Sequence, residues 1–173
     1  MGGKIVKMKT LSYDLSRGRI KTGDFYFSSS RSLVSRSISF VTRSKISHVG
    51  VFFWEGGRLM VAESIMGKGV RDIPFTNLKQ VGVKRYWGKY SSFFSEKEIV
   101  DRVFSKGKNI PEIGSQYDLI GCLFAIFRTS RSKEAYCAEY AQKLLNLSFP
   151  AKTNGILPSD LANLCSEKLF RIK

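Results

Sequence analysis

Histidine is almost missing from this chain: of 173 residues only one, His48, carries an imidazole. Acidic residues are also scarce, 14 Asp and Glu against 29 Lys and Arg, which leaves a formal charge of +15. That excess points to an anionic surface, and acidic membrane, cell-wall polymer and nucleic acid satisfy it equally. The cysteines Cys122, Cys137 and Cys165 are odd in number and none falls in a CxxC or other metal-ligand spacing. The spacing therefore argues against a disulfide framework, a metal and a cofactor, and for reduced thiols in a cytosolic-type compartment. Long apolar runs are absent too. The longest, "LIGCLFAIF" from Leu119 to Phe127, is about half the ~20 residues a bilayer-spanning helix needs, so it reads as a core helix. The N-terminal "MGGKIVKMKTLSYDL" has basic residues but no apolar centre of secretory length, and Val6 occupies the position where myristoylation needs Ser or Thr. No repeat or low-complexity linker interrupts the sequence. One domain over 1–173, long enough to bury a core, is expected.

What the chain does have is a change of period. Through "FSSSRSLVSRSISFVTRSKIS", Val34, Ile38 and Val41 recur at i, i+4 and i+7, which predicts a helix whose arginines Arg31, Arg36 and Arg43 lie largely off the apolar stripe. Those arginines form either a solvated face or an anion-binding one. The sequence then turns strand-like. "HVGVFFWEGGRLMVAESI" holds two β-rich runs around Gly56-Gly57, a hairpin signal. With those glycines as the loop, Glu55 pairs with Arg58, Trp54 with Leu59, Phe52 with Val61 and Gly50 with Glu63.

This register places His48, Gly50, Phe52 and Trp54 on one face with Leu59, Val61, Glu63 and Ile65. Glu63 becomes a diagonal neighbour of His48, opposite a glycine that leaves room beside it. A carboxylate so placed reaches an imidazole nitrogen. The pair is either catalytic or simply a buried His–Glu couple that satisfies itself.

In "SKEAYCAEYAQKLLNL", Cys137, Tyr140, Ala141, Leu144 and Leu145 follow helical spacing, so Cys137 lies on the inward stripe of a helix. Ser130 or Ser132 is the expected N-cap, which puts Cys137 in or near the first turn. Free backbone N–H groups and the positive end of the helix dipole favour a thiolate there, and the same groups suit a developing oxyanion. Cys122 and Cys165, inside apolar helical runs, read as small hydrophobes. Glu139 is a rival carboxylate, but two residues of helix turn it about 200° away from Cys137.

The segments "GDFYF" (Gly23–Phe27), "SHVGVFF" (Ser47–Phe53), "VAES" (Val61–Ser64), "YD" (Tyr117–Asp118), "YCAEYAQKLL" (Tyr136–Leu145) and "LPSDLAN" (Leu157–Asn163) together resemble the NlpC-type superfamily of papain-like cysteine hydrolases. Their order, Gly-Asp, histidine, glutamate, cysteine, resembles the circularly permuted branch that includes relatives of the lecithin retinol acyltransferases. The resemblance implies Cys137 as nucleophile, His48 as general base and Glu63 as the residue that orients the imidazolium. It departs from the pattern at Ala138, where permuted relatives often carry serine.

The expected fold is α+β: an antiparallel sheet carrying His48 and Glu63, packed against helices in a circularly permuted papain-like arrangement. A third strand is expected at Val81–Trp87, and helices around Ser95–Ser105, Tyr117–Phe127 and Ser159–Lys168. The expected function is a cysteine amidase or peptidase that passes through a thioester, acting on a peptide, amide or acyl-lipid substrate. A lipid-directed acyltransferase or thioesterase with the same triad, for which Phe93-Phe94 would sit at a membrane interface, is the alternative. A non-catalytic basic module that binds nucleic acid through phosphate contacts is the third reading, which no RNA-binding motif supports.

Overall fold

The computed structural model describes residues 9–30, 40, 44–78, 82–90, 95–104, 111–116, 136–147, 156–166 and 169–173. The helix expected through Val34, Ile38 and Val41, the helix expected at Tyr117–Phe127, the pair Phe93-Phe94 and Cys122 lie outside those residues. The described residues form an α+β architecture around one seven-stranded sheet. In chain order the elements are β1 (Lys9–Leu11), α1 (Tyr13–Arg17), β2 (Phe25–Ser29), β3 (His48–Glu55), β4 (Arg58–Ile65), β5 (Gly69–Pro74), β6 (Lys84–Gly88), α2 (Glu96–Phe104), α3 (Cys137–Leu144), α4 (Pro158–Asn163) and β7 (Phe170–Ile172). A short 3₁₀ turn, Phe75–Leu78, follows β5. The spatial order is β1-β7-β6-β2-β3-β4-β5, antiparallel throughout except for the β1–β7 pair.

The central hairpin has the expected register. Gly56 (φ 53°) and Gly57 (φ 74°) both take the left-handed conformation that a two-residue hairpin loop requires. Pairing then runs from Glu55–Arg58 to Gly50–Glu63. β3 is buried along most of its length because the sheet is covered on both faces. On one face Phe25, Phe27, Val49, Val51, Phe53, Met60 and Ala62 pack against Ile99 and Val103 of α2, Tyr140 and Leu144 of α3 and Leu161 of α4. On the other, Tyr26, Phe52, Leu59, Val61 and Trp87 pack with Ile20, Phe75 and Leu78. Each fully buried Leu or Phe contributes about 1.5–3 kcal/mol, so the two layers together hold the sheet in place.

Boundaries differ from expectation for local reasons. The third predicted strand begins later, at Lys84, because Gly82 adopts φ 80° and turns the chain before it. α2 matches the expected span closely; Ser95 Oγ accepts from Glu98 N while the Glu98 carboxylate accepts from Ser95 N, a reciprocal cap. α4 ends at Asn163, well short of Lys168, since Ser166 N donates to Lys89 O at 3.0 Å and draws the chain out of the helix.

The "GD" of "GDFYF" is an anchor. Gly23 N donates to Phe52 O and Phe52 N to Asp24 O, each at 2.8 Å. The buried Asp24 carboxylate accepts from Lys21 N, Trp87 Nε1 and Tyr90 N at 2.8–2.9 Å. Burial raises the pKa of Asp24 against the lowering effect of those donors.

Gly50 is needed for a steric reason. A Cβ there would lie 2.8 Å from Ala62 O, 2.9 Å from Val61 Cγ1 and 3.1 Å from Glu63 Cβ. Gly50→Ala therefore forces β4 aside and is expected to cost about 1–3 kcal/mol. The check is a denaturant titration with a lower midpoint at unchanged slope; an unchanged midpoint would show that β4 yields freely at this point.

Candidate active site

Three elements converge on His48. β3 begins at this residue, so its ring lies at the end of the sheet, on the same face as Glu63 by strand alternation. The ring Nε2–H donates to Glu63 Oε2 at 2.7 Å. The Cys137 side chain lies close enough to His48 to raise its pKa as a hydrogen-bonding neighbour, and with Nε2 committed to Glu63 the nitrogen left for sulfur is Nδ1. The three expected site residues are thus brought together, with the imidazole between thiol and carboxylate.

Cys137 reaches the ring from the opposite layer. Its helix packs against Val49, Val51 and Ala62, the face away from Glu63, and meets His48 where β3 begins. The expected N-caps Ser130 and Ser132 lie outside the described residues. The N-cap is Tyr136, in extended conformation (φ −77°, ψ 169°), so Cys137 is the first residue of α3. The Tyr136 side chain makes no cap hydrogen bond, and among the described residues the earliest helical hydrogen bond is Tyr140 N to Tyr136 O at 2.9 Å. The N–H groups of the first turn beside Sγ receive no cap from Tyr136 and suit an oxyanion. Ala138, where serine was the family expectation, is fully buried in the core under the sheet.

One residue in contact with the candidate site escaped the sequence reading. Arg71 on β5 pairs directly with Glu63, and its Nε and Nη2 both donate to Glu63 Oε1, at 2.9 and 2.5 Å. A second hairpin in "ESIMGKGVRD", closed around Gly67, was the signal: extending β4 into β5 sets Arg71 opposite Glu63. The Glu63 side chain is 1% exposed. Burial alone would raise its pKa, but the hydrogen bond and charge of His48, then those of Arg71, outweigh it and hold the carboxyl below its usual range. Glu63 is therefore a carboxylate at all pH values near neutrality.

His48 shifts the other way. Burial pushes its pKa down, and the hydrogen bonds to Cys137 and Glu63, with their negative charges, overcome this and raise it to about 10. The ring is thus held as imidazolium through neutral pH. Tyr26, whose ring meets the His48 ring edge-on at 6.3 Å, is kept a neutral phenol by burial and by the Glu63 charge.

The other candidates are structural. Glu139 pairs with Lys143 at 2.9 Å, one turn along α3. Cys165 Sγ makes a long contact to Leu161 O, and burial, then the Asp24 charge, pushes its thiol up to about 12.

Among solved structures, the chain is similar to the crystal structure of the metalloprotein yiiX from Escherichia coli O157:H7, with a TM-score of 0.55 and 24% sequence identity. The match covers 72% of this chain and 63% of that one, so this chain spans less than two thirds of that protein's length. The likeness concerns the fold. No family model matches the chain, and no curated protein matches it.

Two measurements check this geometry. Limited iodoacetamide labelling near neutral pH should tag Cys137 before Cys165, although Cys137 is only 2% exposed and Cys165 is the more accessible. Faster labelling of Cys165 would contradict the assignment. With a single histidine, one imidazole NMR signal reports its charge. A raised pKa means the protonated form persists above the ordinary value near 6.5, so the signal should stay that of imidazolium at pH 7–8 and titrate toward about 10. Glu63→Gln removes one of the raising charges and should move that titration down.

Proposed function

We propose that this protein is a cysteine hydrolase, an amidase or peptidase of the circularly permuted papain-like, NlpC-type class. The observation that carries the reading is the single histidine bonded through Nε2 to a buried carboxylate and flanked by Cys137, which stands at a helix start and raises its pKa. The α+β sheet and the order Gly-Asp, histidine, glutamate, cysteine support it.

The chemistry follows from positions. Cys137 Sγ, as thiolate, attacks the carbonyl carbon of an amide or ester, and the oxygen becomes an oxyanion beside the first-turn N–H groups of α3. As the C–N or C–O bond breaks, the His48 imidazolium gives its proton to the leaving group, leaving a thioester on Cys137. Neutral His48 then takes a proton from water, whose oxygen attacks the thioester; the acid product leaves and the proton on His48 restores the pair. Throughout, Glu63 fixes Nε2–H and stabilises the imidazolium.

The name of the Escherichia coli protein raises the question of a metal. The triad does not suit one: Glu63 Oε2 is taken by His48 and Oε1 by the Arg71 guanidinium, so a cation already occupies the place where a metal would sit. Among the described residues no three His, Cys, Asp or Glu side chains gather so as to hold an ion.

An activated ester tests the proposal. Wild type should accumulate a mass adduct on Cys137, and Cys137→Ala should not. Glu63→Gln keeps size and an acceptor but removes the charge, and should slow acylation by about 10²–10⁴-fold with the fold intact. Glu139→Gln should leave the rate near wild type, since that carboxylate serves Lys143. Full activity in Glu63→Gln would refute the triad.

A further inference from the structure

The face of the sheet that carries the catalytic pair also carries two arginines with different fates. One register row reads Trp87, Tyr26, Gly50, Glu63, Arg71 across five strands. The adjacent row reads Arg85, Ser28, His48. Arg85 and His48 thus flank Ser28 on the same face, their backbones about 10 Å apart at the usual strand spacing.

Arg71 is committed to Glu63. Arg85 makes neither an ion pair nor a hydrogen bond among the described residues; its guanidinium lies 5.0 Å above the ring of the buried Phe75. That stacking fixes the direction of the side chain without consuming its donors, since the ring face accepts the cation and leaves the N–H edge free. Phe75 also packs against Tyr26, whose ring centroid is 6.0 Å away, and Tyr26 against His48 at 6.3 Å. A pinned, partly exposed guanidinium, unpaired among the described residues, therefore sits two strands away from the strand that bears the general base. The side chain between them, Ser28, is short and uncharged. Tyr26 adds no opposing charge, because burial keeps its phenol neutral.

Resting on the hydrolase reading above, we propose that Arg85 is the anion-binding arm of the active site, selecting acyl substrates with a carboxylate or phosphate several bonds from the scissile carbonyl. Such groups match a guanidinium edge in geometry and charge. The commitment of Arg71 to Glu63 explains why a separate arginine takes this role.

The test uses three thioesters with one leaving group: hexanoyl, 5-carboxypentanoyl and 5-phosphonopentanoyl, which differ only at the far end of the acyl chain. Wild type should acylate at Cys137 faster with at least one anionic chain than with hexanoyl, and comparison of the carboxylate with the phosphonate identifies which oxyanion is native. Arg85→Gln should lose about 10–100-fold in kcat/KM for the preferred anionic substrate and leave hexanoyl turnover unchanged, while Arg85→Lys should keep part of the preference. An unchanged preference in Arg85→Gln, or an equal fall for all three substrates, would overturn the assignment while leaving the cysteine hydrolase reading intact. Wild type that forms no adduct with any of them would overturn both.

Discussion

A carboxylate with almost no exposure to water governs this site. An isolated charge at the depth of Glu63 is untenable, and removing one partner of such a group costs about 3–5 kcal/mol. The sheet supplies partners from both sides: His48 to one oxygen, Arg71 to the other. Each depends on register. Gly50 keeps β3 close enough to β4 for the first contact, and the β4–β5 pairing fixes the second. With Glu63 held ionised, the imidazolium beside it is stabilised, and an imidazolium facing a thiolate is what the proposed acyl transfer through sulfur requires. Burial, strand pairing and proton affinity thus form a single chain of causes.

The candidate site residues were the most legible part of the sequence, because a two-glycine loop converts residue numbers directly into cross-strand partners. From Gly56-Gly57 alone, Glu63 falls beside His48. Arg71 was missed since the same arithmetic has to be carried through a second turn, whose residues Met66-Gly67-Lys68 announce themselves less clearly than paired glycines. The start of α3 was read early because serines resemble N-caps, whereas Tyr136 enters the helix with no side-chain cap hydrogen bond. Long-range ties were invisible: nothing local says that Asp24 will gather the backbone of Tyr90 and the indole of Trp87, or that Lys89 will end α4. Which layer covers which face was equally hidden, since burial on both faces erases the alternation that would have told them apart.

The two buried acids illustrate how neighbours decide the role of a carboxylate. Asp24 receives two backbone N–H groups and an indole, the Lys21 charge lowers its pKa least of these, and burial outweighs them all and moves it up; it joins β2 to β6 and the turn beyond. Glu63 receives an imidazolium and a guanidinium, and its pKa moves down. The first ties strands together, and the second keeps a proton on a base.

Because sulfur and imidazole arrive from opposite layers, they meet only while α3 lies against the sheet. A chain in which the helix has come away carries a thiol without its base and a histidine without its thiol, neither of which does chemistry by itself. The proposed reactivity is thus confined to the assembled state. A nascent, damaged or partly opened copy would hold the three groups of the proposed triad apart, and the packing that completes the fold is what assembles them.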